Sequence, residues 1–214
     1  MPQSGASRNA NPWLTGTGRA VDPEPDTAPA STRRENGRGP AMPQAGVSVP
    51  DTADRLPRAS YATPATVWWL GVHGGAGEST LTALAAGSRA AQHRWPVTDA
   101  EGPASRVALV ARTHWSGLIA AQRAATDWAS GALGDSVHLL GLVLIRDAPG
   151  RLPKPLRDLQ RVIGGGVPRV WTLPWVDAWR FGPVDLSAPL RPEFRSLLAD
   201  LQLSPRDDHL TGRT

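Results

Sequence analysis

Val67-Trp68-Trp69-Leu70-Gly71-Val72-His73-Gly74-Gly75-Ala76-Gly77-Glu78-Ser79-Thr80-Leu81 joins an apolar run, a glycine turn and a helix start without interruption. An unbroken apolar run of strand length, Val67 to Val72, suits a strand buried on both faces of a parallel sheet. Beyond the glycines, Leu81, Leu84, Ala85 and Ser88 fall at i, i+3, i+4 and i+7, which predicts a helix with a narrow small-residue face that fades by about His93. Strand, tight turn and helix in this order are the unit from which α/β folds are built.

The same alternation continues. Residues 93–105, with Pro96, Gly102 and Pro103, read as a connection. Val107 to Ala111 is a short apolar strand ending at Arg112-Thr113-His114, and a helix starts near Ser116, carries Leu118, Ala121, Ala125 and Trp128 inward and stops at Ser130-Gly131. Val137 to Ile145 is a long apolar strand, Pro153 to Ile163 a helix with proline in its first turn, and Pro168 to Leu173 a final strand. Pro174 to Gly182 reads as a loop or short helical turn, and Pro192 opens a last amphipathic helix carrying Phe194, Leu197, Leu198 and Leu201. The expectation is an α/β domain, a parallel sheet with flanking helices over residues 63–205, with a C-terminal tail at 206–214. In such sheets ligands sit beyond the carboxyl ends of the strands, where the glycine loop, Arg112 to His114 and Asp147 to Gly150 would converge.

Residues 1–62 differ in kind. They hold nine prolines with many Ser, Thr, Ala and Gly and scattered apolar residues, too few to offset the entropy of ordering, so they read as a disordered tail. Trp13-Leu14 and Arg33-Arg34 are its candidate partner-binding points.

Composition excludes several chemistries. With no cysteine in 214 residues there is no disulfide, zinc–thiolate site or thiol nucleophile. Of the 23 basic residues all but Lys154 are arginine, a usage that points to a high-GC genome. Charge is mild, +4 overall, and scattered, which gives little support to sequence-independent binding of nucleic acid. No apolar segment approaches the roughly 18–20 residues of a membrane span. The N-terminus lacks the apolar core of a secretion signal, and a cytoplasmic location is the expectation.

His73-Gly74-Gly75-Ala76-Gly77-Glu78-Ser79-Thr80 resembles the deviant phosphate-binding loop of the ParA/MinD family of P-loop NTPases, Lys-Gly-Gly-x-Gly-Lys-[Ser/Thr]-Thr. Gly74, Gly75, Gly77 and the Ser79-Thr80 pair match. The signature lysine is replaced by His73 and the phosphate lysine by Glu78, and Val72 stands at the first glycine of the general pattern. Only about 25 residues separate the helix from the strand at Val107, which leaves the strand carrying the family's magnesium-site aspartate shortened or lost. The resemblance covers residues 64–180 and implies a P-loop fold, ATP and magnesium as cofactors, backbone amides of Gly74 to Thr80 around the phosphates, and Ser79 at the metal.

Glu78 reverses the charge half of that motif. Beside a triphosphate, a carboxylate in place of an ammonium turns attraction into repulsion of several kcal/mol (order of magnitude) at a partly desolvated site. The loop amides could be satisfied by Glu78 itself, a carboxylate being favoured at a helix start. The favoured reading is a degenerate Walker A and an interaction protein that hydrolyses no nucleotide or binds it weakly. By resemblance it would work in partition, positioning or conjugation and secretion machinery, with a protein partner and a possible homodimer. The alternative is an active ATPase in which Ser79 or Thr80 meets magnesium, Asp147 of Asp147-Ala148-Pro149-Gly150 orders the water network and Arg112 replaces the lysine. A second alternative is a nucleic-acid-binding module. His73, His114 and His138 show no metal spacing, and Trp171, Trp175, Trp179 and Phe181 read as packing or a partner surface.

Overall fold

The structure is a computed structural model in which residues 39–98, 102–182 and 184–206 are described. Among the described residues seven strands and four α-helices follow one another: β1 (Arg58–Ala59), β2 (Val67–Gly71), α1 (Glu78–Leu84), β3 (Ser88–Ala90), β4 (Trp95–Pro96), β5 (Ser105–Arg112), α2 (Trp115–Ala129), β6 (Val137–Ile145), α3 (Lys154–Gly164), β7 (Val170–Leu173) and α4 (Pro192–Leu201). Five strands form one parallel sheet in the order β3-β2-β5-β6-β7, and β1 pairs in parallel with β4 in a separate two-stranded ladder.

Alternation along the central strands decides the layers. Trp68, Leu70 and Val72 of the β2 segment and Val107, Leu109 and Ala111 of β5 pack with Leu118, Ala121 and Trp128 of α2. Val67, Trp69, Ala108 and Val110 face the other way, against Leu81 and Leu84 of α1 and Phe194, Leu197 and Leu201 of α4. The unbroken apolar runs are therefore strands covered on both sides, each fully buried leucine contributing about 1.5–3 kcal/mol. In β6 the register slips opposite Val107 and Ala108, at Gly141. The bulge puts Leu139 and Leu142 on the same face despite their odd spacing. Gly141 has φ 149°, and a Cβ there would lie 2.3 Å from the Arg169 carbonyl oxygen.

Two expectations are corrected. Helix α1 stops at Leu84 instead of running toward His93, and Ser88 opens the edge strand β3. The cause is long-range: Ala86 N–H donates to Ser204 O, Arg206 N–H to Leu84 O, and Gly87 turns with φ 74°. Between α1 and β5 the main sheet gains only this three-residue strand, while β4 joins the separate ladder with β1.

The second correction concerns the tail. Residues 1–38 lie outside the described residues, but 39–62 form a strap across α2 and the sheet. Gln44 N–H donates to Ala129 O at 2.9 Å, an Arg58 guanidinium N–H to Ala132 O at 2.8 Å, and Arg123 meets Asp54 at 3.1 Å. Tyr61 stacks on Trp68 with ring centroids 4.3 Å apart and donates its hydroxyl to Ala91 O at 2.5 Å. Composition misjudged this stretch because three apolar anchors, Val47, Leu56 and Tyr61, suffice when a finished core receives them. Among the described residues no helix is long and apolar enough to cross a membrane.

Candidate functional site

From β2 the chain passes through α1 to β3 on one side, while β5 lies on the other side of β2. The carboxyl edge between β2 and β5 is thus the point at which the strand order reverses, the place where open α/β sheets form ligand crevices. Three segments meet there: the turn 72–77 after β2, Arg112-Thr113-His114 after β5, and Arg146 to Gly150 after β6.

His73 spans the crevice. Its Nε2 accepts the Arg112 backbone N–H at 3.1 Å, which leaves the proton on Nδ1 to be donated to Gly74 O at 2.9 Å. Burial pushes its pKa below the ordinary histidine value, and positive charge on His114, His93 and Arg112 pushes the same way, outweighing the Gly74 bond. The neighbouring His114 ring lies 5.0 Å away, tilted at 58°. His114 is the N-cap of α2: its Nδ1 accepts Gly117 N–H at 3.0 Å. Gly117 allows this approach, since a Cβ would stand 2.5 Å from Arg112 O and 2.9 Å from His73 Nε2.

Arg112 ties the segments together. Its Nε donates to Gly75 O at 3.3 Å and a terminal nitrogen to Arg146 O at 3.1 Å. Burial lowers its pKa, opposed by the charge of Asp147. Asp147 is exposed, and its backbone N–H donates to the buried Thr113 hydroxyl at 3.1 Å. Thr113, His114, Arg146, Asp147, Gly150 and Leu156 line a cavity of about 140 Å³ beside the loop.

Within the loop, Gly74, Gly75 and Ser79 are exposed, Gly77 and Thr80 half-buried, and Ala76 and Glu78 buried. Gly77 is the N-cap of α1 with φ 113°, and a Cβ there would lie 2.6 Å from Ile145 Cδ1. Gly77 is thus needed by the turn and by packing against β6, Gly75 by the left-handed backbone of the turn alone, and a Cβ on Gly74 would meet nothing.

Glu78 does not turn into the amides of its own loop, as the sequence suggested it could. Its Oε1 accepts Gly71 N–H at 2.6 Å and His93 N–H at 3.2 Å, while His93 Nδ1 donates to Gly71 O at 2.6 Å. The reason lies in the sheet. Pairing of β2 with the short β3 ends where Ala91 N–H reaches Trp69 O, and Gly71, two residues on, presents its N–H and C=O to the same side. Glu78 and His93 close both groups, which a buried backbone requires. A Cβ on Gly71 would meet Glu78 Cγ at 2.8 Å, so Gly71 makes room for the carboxylate.

His93 was not legible as part of this site, because its role depends on left-handed backbone at Gln92 and His93, with φ 53° and 59°. His138 is exposed near the start of β6, at the opposite end of the strand from these segments. Of the aromatic group, Trp171 is buried and donates to Asp200 at 2.9 Å, and Trp179 packs edge-on against Phe194 at 4.9 Å. Phe181 is 86% exposed. Among the described residues no cluster of three His, Asp or Glu could hold a metal ion. No curated protein and no solved structure matches the chain. A family model described as a family of unknown function, DUF6668, matches residues 65–190, more than half of the 214, and the chain belongs to that family.

Proposed function

We propose that this chain is a degenerate P-loop protein whose carboxyl-edge crevice is filled by its own side chains, and which acts by interaction in place of nucleotide hydrolysis. The observation that carries the reading is the buried Glu78 carboxylate, held by Gly71 N–H and His93 N–H at the position where the ParA/MinD-like motif has its phosphate lysine. His73 and Arg112 support it. The first bridges the crevice between β2 and β5, and the second is engaged with the carbonyls of Gly75 and Arg146. A phosphate entering the loop would meet no lysine, because that position holds a glutamate whose carboxylate is committed to Gly71 and His93.

The partner in this reading is a protein, and resemblance points to positioning, partition or conjugation and secretion machinery. The test is a titration of the full chain with ATP and magnesium, followed by calorimetry. No saturable heat is expected; micromolar, magnesium-dependent affinity would overturn the reading. An active ATPase relying on Ser79, Thr80 and Asp147 would instead show hydrolysis abolished by Ser79→Ala. Nucleic-acid binding would show affinity falling steeply with salt.

A further inference from the structure

At the end of the sheet opposite the crevice, the amino ends of β2 and β5 border a cavity of about 200 Å³, with Tyr61 of the strap and Val97-Thr98 after β4 on its other sides. Strand register places two of its polar contributors on one face, since Trp68 pairs with Val107 and Ser105 lies two residues before Val107. Strands about 4.8 Å apart with a rise of about 3.3 Å per residue set the Trp68 and Ser105 Cα atoms roughly 8 Å apart. Trp68 is 4% exposed and Ser105 8%. Neither the Trp68 indole N–H nor the Ser105 hydroxyl has a hydrogen-bond partner among the described residues, and neither atom is sealed in the core as the orphaned Trp69 Nε1 is. Both residues line the cavity, and side chains so deeply buried have little other open surface to which these groups can turn.

We propose that this cavity binds a compact, uncharged molecule carrying a carbonyl acceptor on an apolar body, with Trp68 Nε1–H and Ser105 Oγ–H as the donors. The chemistry of the lining selects that class. Among the described residues no acidic or basic side chain lines the cavity. The Tyr61 hydroxyl is committed to Ala91 O, and burial raises its pKa, so it stays neutral. A charged ligand would therefore give up hydration and meet no opposite charge. An indole N–H only donates, so its partner must accept. Pro64, Val97 and Pro103 supply apolar wall for the rest of the molecule. Size narrows the class further: sites for drug-sized ligands span roughly 300–1,000 Å³, so this one is too small for a nucleotide or other extended cofactor. The cavity shares no residue with the carboxyl-edge crevice and stands whether or not a nucleotide binds there.

Cyclohexanone, with one carbonyl, no donor and no charge, is the probe, titrated into the full chain. The indole N–H signals of the tryptophans are the readout, and Trp68 is assigned by the signal that disappears in Trp68→Phe. A saturable downfield shift of the Trp68 signal is expected with cyclohexanone and none with cyclohexylammonium, which has the same ring and a positive charge. Val97 methyl signals follow binding in the variants. Trp68→Phe and Ser105→Ala should each weaken it roughly threefold to tenfold, the loss of one hydrogen bond, while the remaining indole signals stay dispersed and show the fold intact. A Trp68 signal that cyclohexanone leaves unmoved, or moves no further than cyclohexylammonium does, would overturn the proposal, as would unchanged affinity in both variants. So would water contacts to the Trp68 N–H that persist in excess cyclohexanone, which would make the cavity a hydration site only.

Discussion

Glu78 accepts the Gly71 amide at 2.6 Å, and Gly71 is the one residue in β2 whose missing Cβ leaves space for that carboxylate, at 2.8 Å from Glu78 Cγ. The two positions should therefore behave as a unit. Glu78→Ala orphans the N–H groups of Gly71 and His93, at a cost of about 1–3 kcal/mol each if water does not replace the bond. Gly71→Ala pushes the Glu78 side chain aside, a cost of similar size. Urea unfolding of the single and double variants checks this: the double variant should lose clearly less than the sum. Strict additivity would mean that the pair is not coupled.

The loop glycines should not be equally sensitive. Gly77→Ala combines φ 113° with a contact 2.6 Å from Ile145 Cδ1, whereas Gly75→Ala, at φ 75°, meets nothing within 4 Å. Backbone strain alone costs roughly 1–2 kcal/mol, and the clash adds about 1–3 kcal/mol. Thermal melts should rank Gly77→Ala well below Gly75→Ala. Equal losses would show that Ile145 yields at little cost and that the spacing is not set by packing on β6.

His73 gives the crevice a pH dependence of known sign. Its folded pKa lies below the value near 6.5 that it has in the unfolded chain, because burial and neighbouring positive charge disfavour the imidazolium. The unfolded chain therefore binds the extra proton first as pH falls. Stability from His73 is fully present above about 6.5 and is lost as pH drops through the folded pKa. Denaturant midpoints measured from pH 7.5 downward should fall, with a shallower decline in His73→Gln. An identical decline in the variant would place the proton uptake at another group.

Much of the architecture is legible because burial on both faces writes itself as uninterrupted apolar runs: Val137 to Ile145 coincides with β6, and the turn glycines mark the end of β2. What escapes is set by partners distant in the chain. Ser88 continues a helical spacing from Leu81, yet it lies in a strand because Ser204 to Arg206 end α1 from outside. The strap at 39–62 has the composition of a tail and is ordered by a core built almost entirely from later residues. At the site, the reversed charge at Glu78 was visible, and its destination was not, since Gly71 needs an acceptor only once β3 proves too short to supply one.

Asp127 carries the opposite dependence. It is 1% exposed on α2; its Oδ2 accepts Trp95 Nε1 at 2.9 Å, and Oδ1 has no hydrogen-bond partner among the described residues. Burial raises its pKa, and the Trp95 bond and the charges of Arg58 and Arg55 only partly offset this. Below the unfolded value near 3.9 both states hold the proton, and the folded state keeps it as pH rises. The stabilising contribution is thus complete in acid and is lost as pH climbs through the folded pKa. Asp127→Asn keeps an acceptor for Trp95 and removes the charge. At neutral pH it should unfold later in urea than the parent chain, by on the order of 1 kcal/mol, with the difference vanishing toward pH 4. A variant less stable than the parent at pH 7 would mean that the ionised carboxylate, drawn toward Arg58 and Arg55, is the form that holds the β1–β4 strap to α2.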